Sequence, residues 1–215
     1  MENMNNEILS ALNWRYATKV FDPNKKISAE DWNVISESLR LAASSFGLQP
    51  WKFILVENED LRAQMREVSW GQSQVTDSSH YLVLAYLNKI DEPYIEKFVT
   101  SIAKQRGVER ETLDGYYSVM KGALIDGPRS QAIGEWAQRQ TYIAMGHAML
   151  TAALQKIDTC ALEGFDPQAY DKLLGLEGTD YNAIGAIAFG YRAAEDKYQD
   201  LKKVRFENNE IFETR

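Results

Sequence analysis

The stretch that most constrains the fold is residues 130–156. Ile133, Trp136, Tyr142, Ile143, Met145, Met149 and Leu150 fall at helical spacing, and the second half is apolar on more than one face. A surface helix carries one apolar stripe, whereas a helix apolar around more of its circumference has to be enclosed. This helix is therefore expected at the centre of the molecule or of a dimer. Several strands are available to enclose it. Residues 51–56 (WKFILV) alternate, 81–87 are strongly apolar, and 158–162 form a short strand candidate. Residues 181–191 (YNAIGAIAFGY) read as a buried strand with close-packing glycines.

Helical patterns cover 5–14, with Asn5 or Asn6 as cap, and the stretch from the Ser28 cap to about Ala43. Others cover 59–67, 92–106, 109–124 and 169–174. Asp22-Pro23 and Gly127-Pro128 are breaks. The expectation is an α+β fold, a central and mainly antiparallel sheet flanked by helices, forming a single domain over 1–215. The charged tail beyond Tyr191 keeps Phe206, Ile211 and Phe212, more apolar residues than a disordered tail would carry. Residues of about 198–215 are expected to lie across a neighbouring subunit.

Composition narrows the function. The formal net charge is −7, which argues against nucleic acid or an anionic membrane as partner and makes any local cation cluster more informative. No apolar run approaches the roughly 20 residues of a membrane helix, and the N-terminus is polar and acidic, unlike a secretory leader. The single cysteine, Cys160, permits no intramolecular disulfide and reads as a small core residue. A cytoplasmic protein is expected. His80 and His147 lie far apart, so no metal site is expected. No GxGxxG or GxxxxGK[ST] occurs, and Ser79-His80 adjacency is no evidence of a triad.

Four short boxes carry the chemistry. In RYATK, Arg15 and Lys19 are cations four apart with Thr18 between them, a pairing suited to phosphate. In ASSFGLQPW, Ser44, Ser45 and a Gln-Pro precede a strand and offer donors to the polar edge of a flat heterocycle. In EGF, Glu163 and Gly164 follow a short strand, and a strand-end Gly amide can point at a ligand. In KKVRF, Lys203 and Arg205 would share one side of an extended segment. Singly, each also reads as surface charge, connecting loop or plain turn.

In this order and at these separations, the boxes resemble the nitroreductase family, the FMN-containing NAD(P)H-dependent reductases of nitroaromatics and quinones. The likeness runs from about Ile8 to Arg205. It implies an intertwined homodimer with a swapped C-terminal extension, and tightly bound FMN at the dimer interface. Arg15 and Lys19 then hold the flavin phosphate and the pyrimidine carbonyl side, and Lys203 and Arg205 the phosphate. Tyr16 joins the flavin contacts, and Ser44 and Ser45 come from the partner. Glu163 and Gly164 form the turn facing the ring, with the Gly164 amide donating towards N5. A cation near N1 and the C2 carbonyl stabilises the reduced anion, and Lys19 is assigned that role. Glu163 faces the nicotinamide or a water rather than acting as a base.

Several positions depart from the family pattern. Tyr16 and Ala17 stand where His or Arg and then Ser are frequent, and Gly47 replaces a frequent Asn. The loop before Asp77 has Gln72 and Gln74 in place of Asn-x-x-Lys; one of them meets the pyrimidine edge, with Gln72 favoured. NAD(P)H is expected as a transient co-substrate and a small aromatic or quinoid acceptor as its successor, in a ping-pong scheme. Two alternatives stay open: another flavin activity on the same fold, such as dehalogenation or flavin breakdown, and a flavin-free dimeric binding or scaffold protein.

Overall fold

The computed structural model describes residues 2–215; Met1, at the head of the expected domain, lies outside them. Helix α1 (Glu2–Trp14) starts before the expected cap. Helix α2 (Ala29–Arg40) begins at Ser28, whose hydroxyl accepts from the Asp31 amide at 3.0 Å. Strand β1 (Trp51–Val56) and helix α3 (Glu59–Glu67) lie where the periodicity predicts them, with Asn58 capping α3. The loop expected next contains a short helix, α4 (Gln74–Asp77), before strand β2 (His80–Leu87).

Helix α5 (Glu92–Arg106) is capped by Asp91 and closed by Gly107 at φ 66°. The next expected helix, 109–124, is broken. A 3-10 turn at Arg110–Leu113 precedes α6 (Asp114–Lys121), which runs into a π-helical turn at Gly122–Asp126. Pro128 has no amide to extend the ladder and drives Gly127 into an extended conformation, so the chain leaves the helix there.

The long helix α7 spans Ile133–Leu154 after a 3-10 turn at Pro128–Ala132. It ends where Lys156 takes a left-handed φ of 60°. The Ile157 amide reaches back to Ala152 O at 2.8 Å and the Lys156 amide to Ala153 O at 3.1 Å, satisfying the last carbonyls. Strand β3 (Asp158–Leu162), helix α8 (Pro167–Leu173), strand β4 (Tyr181–Gly190) and a short tail helix, α9 (Asn208–Ile211), complete the chain.

The four strands form one antiparallel sheet in the order β1-β2-β4-β3. Strand alternation sorts the two cores. Leu82, Leu84, Ile187 and Phe189 face α2 and α7, where Ile35, Leu39, Met145 and Ala148 are buried. Tyr81, Val83, Ala186 and Ala188 face the other way, onto Val56, Met65, Val75 and Tyr170. The α7 face on the sheet is rich in alanine (Ala144, Ala148, Ala152), which lets the helix lie close. A register shift at Leu84/Ala85 leaves Ile184 as an extra residue in β4. A third core joins α5 and the π-helical turn to the start of α7 through Ile95, Val99, Leu124 and Trp136. The expected α+β class is therefore present, with a sheet that is antiparallel throughout.

Gly190 ends β4 against Phe21. A Cβ there would stand 2.9 Å from Phe21 Cδ1 and 3.1 Å from the Ser79 backbone nitrogen. Phe21 is fully buried and has nowhere to move. Gly190→Ala is expected to destabilise the fold by about 1–3 kcal/mol, read as a lower urea midpoint with an unchanged slope.

Candidate functional site

The RYATK segment is placed by the edge of the sheet. After α1 ends, Ala17 forms an isolated parallel bridge with Thr159, and the Thr18 amide donates to Thr159 O at 3.2 Å. Asp158, only 3% exposed, holds the far side. Its carboxylate accepts from Arg192 Nη2 at 2.6 Å, from the Arg192 amide at 2.8 Å and from the Thr18 hydroxyl at 3.4 Å. The Arg192 guanidinium lies 4.3 Å from the Trp14 ring and 4.6 Å from the Tyr16 ring. The residues flanking Arg15 are thus fastened on both sides, and Thr18 is buried in a structural contact.

A cavity of about 500 Å³ opens beside this segment. Arg15, Tyr16, Ala17 and Lys19 form one wall, and Tyr198, Leu201, Lys203 and Arg205 from the base of the tail form the other. None of the residues lining it is a carboxylate. The structure therefore brings together five of the residues singled out in the sequence: Arg15, Tyr16, Lys19, Lys203 and Arg205. Arg15 is half-buried; its Nη2 meets Met149 Sδ at 3.6 Å, and its buried Nε has no partner among the described residues. Burial and then the nearby charge of Arg205 push the Arg15 pKa down. Burial, followed by Arg15 and Arg205, does the same to Lys203. The Lys203 ammonium donates to the Leu12 carbonyl at 2.5 Å and also to the Arg15 carbonyl, so it closes the end of α1 as well as facing the cavity. Several cations gathered around an unpaired donor make a site for an anion.

Asp196 was not singled out in the sequence, where it sits in a run with Glu195 and Asp200. It is 1% exposed, and it receives the Tyr16 hydroxyl at 3.0 Å and the Lys19 amide at 2.7 Å. Burial pushes its pKa up, but the hydrogen bonds from the Tyr198, Lys19 and Val20 amides and the Tyr16 hydroxyl outweigh this and hold it below the ordinary value. The same contact, after burial, raises the Tyr16 pKa.

The EG turn lies apart from these cavity walls. Gln72 Nε2 donates to Gly164 O at 2.8 Å and to Ser69 O at 3.1 Å, while Gln74 is buried. Tyr142 of α7 hydrogen-bonds the exposed Glu163 carboxylate. Trp70, another residue the sequence did not flag, is 82% exposed and holds a left-handed φ of 57°. Its ring covers Gly164. The serine box is a separate loop in which Phe46, Gly47 and Gln49 all have positive φ. The Ser44 hydroxyl accepts from the Gln49 amide at 3.0 Å, and the Ser45 amide donates to Gln140 Oε1 at 2.8 Å. Neither serine lines the cavity.

A nitroreductase family model matches residues 12–191, which takes in the first cavity wall, the serine box and the EG turn. The chain belongs to the nitroreductase family. A Staphylococcus aureus (strain USA300) protein named as an NAD(P)H nitroreductase is 37% identical over 202 residues, 91% of each chain. One of the same name from Staphylococcus saprophyticus is 37% identical over 220 residues, 99% of each. Among solved structures, a nitroreductase in complex with FMN from Exiguobacterium sibiricum aligns with a TM-score of 0.80 at 23% identity, covering 97% of both chains. A Bacillus subtilis relative reaches 0.83 at 23% identity, covering 98% of this chain and 100% of its own. This nitroreductase fold is thus shared along nearly the whole chain, and among the described residues no helix is long and apolar enough to cross a membrane.

At Gly164, an added Cβ would lie 2.7 Å from Trp70 Cζ3 and 3.1 Å from Gln72 Nε2. Gly164→Ala is expected to push the indole off the turn. Tryptophan emission should shift, while the unfolding midpoint moves by no more than about 1–3 kcal/mol equivalent.

Proposed function

We propose that the protein is an FMN-dependent NAD(P)H oxidoreductase that reduces nitroaromatics, quinones or both. The observation that carries this reading is the cation cluster. Arg15, Lys203 and Arg205 surround a cavity with no lining carboxylate, and Arg15 Nε is buried without a partner. A half-buried guanidinium with a partnerless Nε beside two further cations is unfavourable, and a multi-oxygen anion relieves both the repulsion and the missing bond. The donor set fits a flavin phosphate: guanidinium forks from Arg15 and Arg205, and a point charge from Lys203.

FMN, when bound, supplies the hydride-accepting and hydride-donating chemistry. The chain's own residues bind and orient it. Lys19, an exposed cation on the cavity wall, is assigned to the side of the ring that gains negative charge, and the Gly164 amide to a donor role at its edge. Tyr16 and Gln72 are assigned to the flavin environment, the latter already locked onto Gly164. Glu163, held by Tyr142, is assigned to the border of the space that NAD(P)H and the acceptor would occupy in turn in a ping-pong scheme.

Ser44 and Ser45 are assigned to the flavin of a partner subunit in a homodimer. Exposed apolar residues support that partner: Ile143 and Leu154 on α7, and Val204, Phe206, Ile211 and Phe212 in the tail. The segment of about 198–215 is proposed to cross to it.

Three measurements test this. The purified protein should show a flavin spectrum that bleaches under anaerobic NADH or NADPH and returns on adding a quinone; a colourless protein that takes up no added FMN overturns the reading. Arg15→Ala combined with Arg205→Ala should abolish flavin retention in a folded dimer, since each charge-assisted bond contributes about 1.5–3 kcal/mol. Full flavin occupancy in that variant rules out the phosphate assignment. A cation helps phosphate binding only while protonated, so FMN affinity should fall as pH rises through the lowered pKa of Lys203, before an ordinary lysine near 10.4 would titrate. Lys203→Arg should move that alkaline limb out of range.

A further inference from the structure

The two cavity walls come from opposite ends of the chain, and one buried carboxylate touches both. Asp196 Oδ2 accepts from the Tyr16 hydroxyl at 3.0 Å, the Lys19 amide at 2.7 Å and the Val20 amide at 3.1 Å, all on the first wall or its continuation. Oδ1 accepts from the Tyr198 amide at 2.9 Å, where the second wall begins. Asp196 has no cationic partner among the described residues; its charge is met by those four donors. A buried carboxylate held in this way is fixed in direction as well as position, because each oxygen has a distinct set of donors. The Ala193 amide bonds Val20 O at 2.9 Å and brings Asp196 into register with the segment it grips.

We propose that Asp196 is a positioning residue for cofactor binding: it sets the spacing between Arg15 on one wall and Lys203 and Arg205 on the other, and through that spacing selects a phosphorylated flavin. This rests on the phosphate reading of the cavity given above. A phosphate accepts bonds from several cations at once only if they stand at the right separation, so loosening one wall removes more than one contact. Asp196 itself touches no ligand. Its charge has the wrong sign for phosphate, and its oxygens are occupied by the chain.

The test compares FMN with riboflavin, which has the same ring and sugar chain and no phosphate. Both are titrated into flavin-stripped wild type, Asp196→Ala and Asp196→Asn, following flavin fluorescence, with thermal melts recorded alongside. Asp196→Ala is expected to weaken FMN by about tenfold to a hundredfold and riboflavin by no more than about twofold. Asp196→Asn, which keeps the shape and one acceptor oxygen, should fall between it and wild type, and it carries the test alone if the alanine variant does not fold. Equal losses for both flavins mean that Asp196 serves the fold and not the phosphate, and unchanged FMN binding means that it positions nothing; either result overturns the proposal. If wild type binds riboflavin as tightly as FMN, the phosphate reading of the cavity fails first, which separates that failure from this one.

Discussion

The open edge of β3 is the constraint on which the site depends. A terminal strand presents unpaired backbone groups, and here the segment following α1 covers part of that edge through the Ala17–Thr159 bridge. Asp158 at the start of β3 makes the cover permanent by joining Arg192 and Thr18. The pair is buried on the carboxylate side, and removing either partner would leave an uncompensated charge. Arg192 then stacks between Trp14 and Tyr16, so the residues on both sides of Arg15 are held by the same interaction. The first wall of the cation cluster, with Arg15, is thereby fastened to the edge of the sheet.

The elements most legible in the sequence are those whose burial pattern has one simple period. β1, β3, α3 and α5 have the expected limits because alternation or an amphipathic stripe ends at a recognisable cap or turn. The 109–124 stretch was less legible. Its apolar spacing is helical throughout, but the local backbone is divided among 3-10, α and π geometry by the approach to Pro128. The α4 turn was hidden because four residues, of which only Val75 is apolar, carry no periodicity.

At the site, the cationic residues were legible and their supports were not. Arg15, Lys19, Lys203 and Arg205 announce themselves by charge in an acidic chain. Asp196 does not, because one carboxylate in a run of charges looks solvated until the fold shows which one is inside. Trp70 escaped notice because its significance lies in a left-handed backbone and an exposed ring, neither of which composition reveals. The serine box and the EG turn were singled out from their residues and given flavin roles by the family resemblance, and in this chain they occupy positions apart from the cation cavity.

Lys203 joins the tail to the carbonyls of Leu12 and Arg15, across sequence separations of 191 and 188 residues. The two walls of the cavity therefore meet only through contacts between distant parts of the chain. The sheet ends at Gly190, and the second wall is formed by residues beyond it. A chain interrupted before residue 203 retains most of its hydrophobic core but lacks the cations of the second wall.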